Sequence, residues 1–300
     1  MKAAWINDWS GTDGVVIGRA AVPEPAAGEL LIRVRAAGIN PFDWQVSRGS
    51  MIWLVGQQLP KVLGWEFSGD VEALGPGCHR FAVGDPVFGR MPAGRMGAFA
   101  EYAVVDEAVV AAKPRSLSHI EAAAIPVAGL AAWQALVEVA AMVPEQKVLV
   151  HGGAGAVGGL AIQLARHLGG WVSTTCSDRN LYYVLDLGVI RSVDYSRSSF
   201  EKRAPMRDVT LDLVGNAIAA RSIRNTRPGG VVVSLAGSPD PALLQQSGAS
   251  PLDTVGARWQ HWRLRSLARG RKVRWQRLHS RADGPQLAQL GALVDAGKLE

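Results

Sequence analysis

A glycine-rich segment near the middle of the chain has the residue types and spacing of a phosphate-binding turn. It fits the pattern G-x-G-x-x-G, follows the apolar run 147–151 and precedes a segment with helical spacing. The predicted contacts are Gly153, Ala154, Gly155, Ala156, Val157 and Gly158. In such a turn, backbone N–H groups approach a pyrophosphate and the helix N-terminus adds partial positive charge. Glycines also mark ordinary tight turns, but the flanking strand and helix favour a dinucleotide site.

The segment after the second predicted strand indicates which dinucleotide binds. That strand, residues 171–176, does not end in the acidic residue that normally accepts a hydrogen bond from the ribose 2′-OH of NAD. Ser177 and Arg179 follow it, and both suit a 2′-phosphate. Asp178 lies between them and would repel the phosphate if it pointed inward. The segment therefore predicts NADPH, with a solvated polar loop as the alternative.

Short apolar runs separated by helix-length segments predict an α/β fold over residues 118–300, a doubly wound parallel sheet of the Rossmann type. The predicted strands are residues 147–151, 171–176, 192–195, 208–214, 230–236 and 272–280. Ser118 and Glu121 have the spacing of a capping box, and helices are predicted at 128–142 and 286–296. Near-continuous Val and Leu runs of this kind are typical of a parallel sheet covered on both faces.

Residues 1–117 have a different pattern. Short predicted strands at 29–36, 67–74, 85–88 and 98–105 are separated by Gly and Pro. This pattern predicts a small β-rich domain that precedes the α/β domain.

The composition excludes several classes of protein. At 300 residues, with 48% hydrophobic and 19% charged residues, the chain is long enough for two folded domains. Two cysteines, Cys78 and Cys176, exclude a disulfide framework and a four-cysteine zinc lobe. Because no uncharged window reaches the length of a membrane span and the N-terminus lacks a signal-peptide pattern, we expect a cytoplasmic protein with no membrane partner.

The net charge of +6 arises in one segment. Residues 257–281 contain nine Lys and Arg and no acid, which leaves the rest of the chain at −3. Trp259, Trp262 and Trp275 are interleaved with these charges, as in a nucleic-acid surface. We favour a solvated helix followed by an edge strand whose charges limit aggregation, and we expect no nucleic-acid partner.

Together with the glycine turn, six other segments resemble the medium-chain dehydrogenase/reductase superfamily, in its zinc-free quinone oxidoreductase-like branch. They are residues 38–43, 62–69, 84–89, 97–102, 193–195 and 227–230. The resemblance implies a GroES-like substrate domain at 1–117, a Rossmann domain at 118–300 and an active site between them. It also implies NADPH as hydride donor and a homodimer that pairs through the last strand.

The resemblance extends the predicted cofactor site. Tyr195 matches a tyrosine that helps to hold the 2′-phosphate in relatives, although an aromatic residue at a strand end has other uses. Leu235, Ala236 and Gly237, where the fifth predicted strand of the α/β domain ends, complete the predicted cofactor contacts.

Zinc-dependent members of the superfamily carry a metal-binding Cys where this chain has Asn40 and a metal-binding His where it has Trp65. We therefore predict no metal. What remains is hydride transfer from NADPH to a small electrophile, a quinone or an α,β-unsaturated carbonyl. The predicted catalytic residues are Asn40, which would donate to the substrate oxygen, Asp43, which would brace the Asn-Pro turn, and Trp65, which would line an aromatic slot. An Asx turn is the alternative for Asn40, and core packing is the alternative for Trp65.

Two departures from the family pattern favour a different function. Ala131 stands where relatives commonly carry a Thr near the nicotinamide, and the chain ends soon after the helix at 286–296, where relatives return to the substrate domain. We expect a truncated chain or an abbreviated substrate domain. The alternative function is a redox-weak NADPH-binding protein that contacts nucleic acid or a protein partner through residues 257–281.

Overall fold

The computed structural model, which describes residues 1–215, 217–246 and 250–300, separates the chain into two units. Unit 1 comprises residues 1–130 and 281–297, and unit 2 comprises residues 131–280 and 298–300. The predicted division at 117/118 therefore differs from the observed one at both ends of unit 2.

Unit 1 is built mainly from short strands. Its elements up to residue 130 are β1 (Lys2–Ile6), β2 (Val15–Arg19), β3 (Glu29–Gly38), α1 (Pro41–Ser47), α2 (Ile52–Val55), β4 (Lys61–Val62), β5 (Glu66–Leu74), β6 (Pro86–Arg90), β7 (Tyr102–Asp106), β8 (Val110–Ala112), α3 (His119–Ala122) and the start of α4 (Pro126–Trp133). One antiparallel sheet has the order β7-β3-β5-β6-β8, and a smaller one has the order β2-β1-β4. The four predicted strands correspond to β3, β5, β6 and β7, whereas the hairpin β1–β2 was not predicted.

The alternation of side chains between the two faces of β3 and β5 explains the core of the larger sheet. Leu30, Ile32, Phe67 and Val71 are fully buried and pack together, as expected where every second side chain faces the same side of a sheet. β7 is shorter than predicted because Phe99, inside the predicted strand, instead bonds the backbones of Ala4 and Leu63. Residues 98–101 therefore lie beside the smaller sheet and bond to it, and they are not part of β7.

Unit 2 is an alternating α/β fold, as predicted. Its elements are β9 (Lys147–His151), α5 (Ala156–His167), β10 (Trp171–Cys176), α6 (Leu181–Asp186), β11 (Arg191–Asp194), α7 (Phe200–Arg203), β12 (Arg207–Asp212), α8 (Ala217–Asn225), β13 (Thr226–Ser234), α9 (Pro241–Gln246), α10 (Pro251–Gly270) and β14 (Arg274–Arg277). All six strands run parallel in the order β11-β10-β9-β12-β13-β14. This is the strand order of the doubly wound dinucleotide-binding fold.

Several predicted elements have other bounds in the structure, and for two of them the reason is local. The helix predicted at 128–142 ends its α-helical part at Trp133 and continues as a π-helix, Gln134–Val139. The last strand is Arg274–Arg277, and it ends before the predicted residue 280 because its partner β13 ends at Ser234. In the described part of the chain, no helix combines the length and the hydrophobicity that a membrane span requires.

The chain does return to unit 1 after β14, contrary to the expectation that this return is missing. Helix α11 (Gly284–Asp295) belongs to unit 1 and buries Leu287 and Leu290. Asp295 Oδ1 accepts the backbone N–H of Ser116 at 3.0 Å and its hydroxyl at 2.8 Å. A side chain in place of Gly284 would clash with the carbonyl oxygens of Ala108 and Val110. Helix α11 is thus fixed against the same domain that the first 130 residues form.

Candidate functional site

The Asn-Pro turn of unit 1 is a helix start. Asn40 is extended (φ −121°, ψ 155°) and is the N-cap of α1, and Pro41 occupies the first helical position, where its missing N–H costs nothing. Asp43 Oδ2 accepts the backbone N–H of Asn40 at 2.8 Å, and the two residues form a capping box. Asp43 is buried, and its carboxylate holds the backbone of the turn.

Glu66 contacts Asn40, and the sequence analysis did not single it out. Glu66 Oε1 accepts a hydrogen bond from Asn40 Nδ2 at 2.6 Å, and Oε2 accepts the backbone N–H of Val127 at 2.7 Å. Glu66 opens β5, paired with Gly38 on one side and Arg90 on the other. A Cβ on Gly38 would overlap the Glu66 carboxylate, so glycine at that position makes room for it. Glu66 therefore fixes the orientation of the Asn40 amide and caps the start of α4.

This cluster of buried ionisable groups has shifted pKa values. Burial raises the pKa of Glu66 to about 7, against the opposing hydrogen bonds from Val127 and Asn40 and the charge of Arg90. Burial also raises the pKa of Asp43 to about 6 and lowers that of the Arg90 guanidinium to about 10. Carboxyl groups that titrate near neutral pH beside a half-buried amide are typical of functional sites.

We expect the stability advantage of wild type over Glu66→Gln to decrease as pH rises. Because the folded-state pKa of about 7 exceeds the ordinary value of 4.5, the contribution of Glu66 is fully present below pH 4.5 and lost as pH rises through 7. Between pH 5 and 8 the difference in unfolding free energy should fall by roughly 2–3 kcal/mol. Urea unfolding at both pH values measures this, with Glu72→Gln, an exposed residue of the same strand, as control. A difference that does not change with pH would contradict the assignment.

Trp65 lies in the core of unit 1. It is 1% exposed and packs with Ile6, Val46 and Leu63, and its ring meets that of Phe42 edge to face at 6.4 Å. Its placement supports core packing, the alternative considered for it, and not a wall of an open slot. Trp44, one turn into α1, is 45% exposed.

The glycine turn of unit 2 follows β9 as predicted. A Cβ on Gly153 would lie 2.0 Å from Thr174 Oγ1, and one on Gly158 would lie 2.3 Å from the carbonyl oxygen of Gly152. These two glycines allow helix and strand to approach closely. A Cβ on Gly155, the N-cap of α5, would meet only one atom, at 3.5 Å. The space beside Gly155, at the N-terminus of α5, is therefore open, which fits a pyrophosphate.

His151, at the end of β9, is not available for acid–base chemistry. It is buried, and its ring nitrogens lie 3.2 Å from Thr175 Oγ1 and 3.1 Å from Ser222 Oγ. Burial lowers its pKa to about 4, so the ring is neutral. His151 links three elements of unit 2 behind the glycine turn.

The end of β10 presents the groups predicted to select the dinucleotide. Arg179 is exposed, and Ser177 Oγ accepts a hydrogen bond from Asn180 at 3.1 Å. Asp178 pairs with Arg197 (Oδ2 to Nη2, 3.2 Å), a residue that the sequence analysis did not single out, and its side chain is 58% exposed. Arg197 also lies 3.4 Å from Asp194. The acid that would repel a phosphate is thus balanced by a second arginine.

The other predicted cofactor residues lie at the carboxyl ends of the neighbouring strands. Tyr195 directly follows β11 and is 66% exposed. Leu235, Ala236 and Gly237 follow β13, and the loop after β12 is held against them by Asp212, which accepts the N–H groups of Val214 and Gly215 at 3.0 and 2.8 Å. Open α/β sheets bind ligands outside the carboxyl ends of their strands, so the predicted residues occupy one such edge.

Within the described ranges, no group of three or more His, Cys, Asp or Glu side chains is arranged to hold a metal ion. At the two family metal positions, Asn40 bonds Glu66 and Trp65 is packed in the core.

Two family descriptions match the sequence. Residues 26–115 match the alcohol dehydrogenase GroES-like domain, and residues 187–300 match the domain named zinc-binding dehydrogenase. These matches and the parallel sheet of unit 2 confirm the predicted combination of a GroES-like and a Rossmann domain.

Several named proteins are similar to this chain in sequence. The "2-methylene-furan-3-one reductase" of Solanum lycopersicum is 34% identical over 80% of this chain and 63% of its own length. The "NAD(P)H oxidoreductase RTN4IP1, mitochondrial" of Danio rerio is 30% identical over 100% of this chain and 83% of its own. The chain thus spans about three fifths of the tomato protein.

A quinone oxidoreductase from Coxiella burnetii has the same fold. Its structure superposes with a TM-score of 0.85 at 31% identity, covering 100% of this chain and 89% of that chain. Similarity that covers the whole of this chain at this identity confirms the predicted resemblance. The chain belongs to the medium-chain dehydrogenase/reductase superfamily.

Proposed function

We propose that this protein transfers hydride from NADPH to a quinone or an α,β-unsaturated carbonyl without a metal ion. The observation that carries the proposal is the end of β10, where a glycine-turn dinucleotide fold offers Ser177 and Arg179 in place of an acid. The names of the tomato, zebrafish and Coxiella relatives, a furanone reductase, an NAD(P)H oxidoreductase and a quinone oxidoreductase, support it.

NADPH would supply the hydride that moves to the electrophilic atom, solvent would supply the proton that completes the reduced product, and NADP⁺ would be released. The glycine turn and the N-terminus of α5 would bind its pyrophosphate, and Arg179 its 2′-phosphate. The predicted residues Ser177, Tyr195 and the segment after β13 would line the same edge.

Asn40 would bind the acceptor oxygen on which negative charge develops. An amide nitrogen carries two N–H groups, and Glu66 accepts one of them. The other would donate to the substrate oxygen and stabilise the charge as hydride arrives. Glu66, Asp43 and the capping box would keep the amide in place, which makes them positioning residues for Asn40.

We expect activity without metal, because the residues at the family metal positions are Asn40 and Trp65. Elemental analysis of the purified protein should show no stoichiometric zinc, and chelator treatment should leave turnover unchanged. Loss of turnover with EDTA that zinc restores would contradict this.

We infer a homodimer that pairs through β14. This strand forms an edge of the sheet, and symmetric pairing would satisfy its free backbone groups. Sedimentation should show a dimer at micromolar concentration, and a monomer at high micromolar concentration would reject it. A cytoplasmic location stays a prediction.

The rival function, nucleic-acid or partner binding through residues 257–281, loses part of its predicted surface. Trp275 packs against His261 and donates to Ser234, and Arg274 and Arg277 donate to backbone carbonyls of unit 2. The discriminating experiment is NADPH oxidation with a panel of quinones and enones, beside a salt-dependent oligonucleotide binding assay. Acceptor-dependent oxidation supports the reductase, and oligonucleotide binding without oxidation would support the rival.

A further inference from the structure

Helix α10 exposes a row of large apolar side chains to solvent. Leu252, Val255, Trp259 and Trp262 are 84%, 63%, 59% and 66% exposed. Their spacing of three and four residues places them on one side of the helix, and we call them the tryptophan stripe. The opposite side of α10, including Leu264 and Ala268, is buried against α8 and β13. The stripe therefore faces away from the protein over a length of about 15 Å.

Arginines flank the tryptophan stripe. Arg258, Arg265 and Arg269 are exposed and follow one of its borders, as their spacing of seven and four residues requires. Arg263 lies on the other border, with its guanidinium 5.6 Å from the centre of the Trp259 ring. The sequence of α10 contains four arginines and a single acid, Asp253. A partner must therefore be apolar where it meets the stripe and negatively charged around it.

We propose that the tryptophan stripe binds the surface of a membrane that contains anionic lipids. Amphipathic helices with Trp and Leu on one side and arginine beside them lie in the headgroup region, with the apolar side chains at the acyl boundary and the cations at the phosphates. Binding of this kind needs no spanning segment, and it is compatible with the finding that no helix among the described residues could form one. The proposal thus departs from the expectation of no membrane partner.

The composition of the stripe distinguishes a membrane from a nucleic acid. Single-stranded nucleic acid would stack on Trp259 and Trp262 and pair with the arginines. Leu252 and Val255 offer no aromatic face to a base, yet they are 84% and 63% exposed. An acyl boundary accommodates all four side chains.

The charges argue against a second copy of the chain as the partner. Two copies of α10 packed stripe to stripe would bring Arg258, Arg265 and Arg269 close to their counterparts. One acid in each helix does not balance four arginines. A lipid phosphate layer satisfies the same arginines without repulsion.

Vesicle flotation with the full chain tests the proposal. We expect the wild type to float with phosphatidylcholine vesicles that contain phosphatidylglycerol, not with phosphatidylcholine alone, and to be released by salt. Trp259→Ala with Trp262→Ala should weaken binding roughly tenfold for each tryptophan. Arg258→Gln, Arg265→Gln and Arg269→Gln together should weaken it by about fivefold for each charge removed. Trp171→Ala removes a tryptophan on β10 that is 54% exposed, and this control should bind as wild type does.

Three results would overturn the proposal. The first is absence of wild-type flotation with anionic vesicles, or flotation that neither set of substitutions weakens. The second is stripe-dependent binding of a single-stranded oligonucleotide without vesicle binding, which would assign the stripe to nucleic acid. The third is self-association that the tryptophan substitutions abolish, again without vesicle binding. Because the substituted side chains are exposed, unchanged thermal unfolding should show that the variants are folded.

Discussion

Replacing Asn40 with serine should lower kcat for quinone or enone reduction by roughly a hundred- to a thousandfold, the usual cost of removing one hydrogen-bond donor to a developing oxyanion. Serine is also a favoured N-cap residue, so the start of α1 should be retained. NADPH binding should be unchanged, because the predicted cofactor contacts lie in unit 2. Steady-state kinetics and cofactor titration of the variant measure both effects.

Thermal unfolding separates this role from a purely structural one. If Asn40→Ser melts within a few degrees of wild type and retains its kcat, Asn40 is only the cap of α1. Glu66→Gln provides a second readout, because its amide still accepts from Asn40 but no longer titrates. Its activity should therefore depend less on pH near 7 than that of the wild type.

Replacing Arg179 with alanine should weaken NADPH binding roughly ten- to a hundredfold and leave NADH binding nearly unchanged. A charge-assisted hydrogen bond to the 2′-phosphate contributes on the order of 1.5–3 kcal/mol, and NADH lacks that phosphate. Asp178 does not compete, because it pairs with Arg197.

Titration of both cofactors against wild type and Arg179→Ala tests this, with Lys202→Ala, an exposed cation on α7, as control. Equal losses for NADPH and NADH would show that Arg179 supports its loop. A wild-type preference for NADH would overturn the cofactor assignment.

The elements of unit 2 were predictable because their determinants are local. The apolar runs at 147–151 and 171–176 became strands with the same bounds, and the glycine spacing specified the turn between β9 and α5. Ser118 and Glu121 form the predicted capping box for the same reason, since its two bonds join residues three apart.

The features that were not predicted depend on contacts between distant residues. Asn40 and Glu66 are 26 positions apart, and Ser116 and Asp295 are 179 apart. A carboxylate at the head of an apolar strand was the available indication for Glu66, but only the pairing of β5 with β3 brings it to Asn40. Similarly, the spacing of residues in α10 does not reveal which side is packed, so the exposure of Trp259 and Trp262 became evident only in the structure.

The most direct test of the reductase assignment is to follow the transferred hydrogen itself. Incubation with NADPH that carries deuterium at the transferable C4 position, together with a simple enone, should place deuterium on the β-carbon of the product, as detected by mass spectrometry. Asn40→Ser should slow this labelling in proportion to its loss of kcat. If NADPH binds but neither the enone nor a quinone is reduced faster than in the absence of protein, the protein is not a reductase of this class.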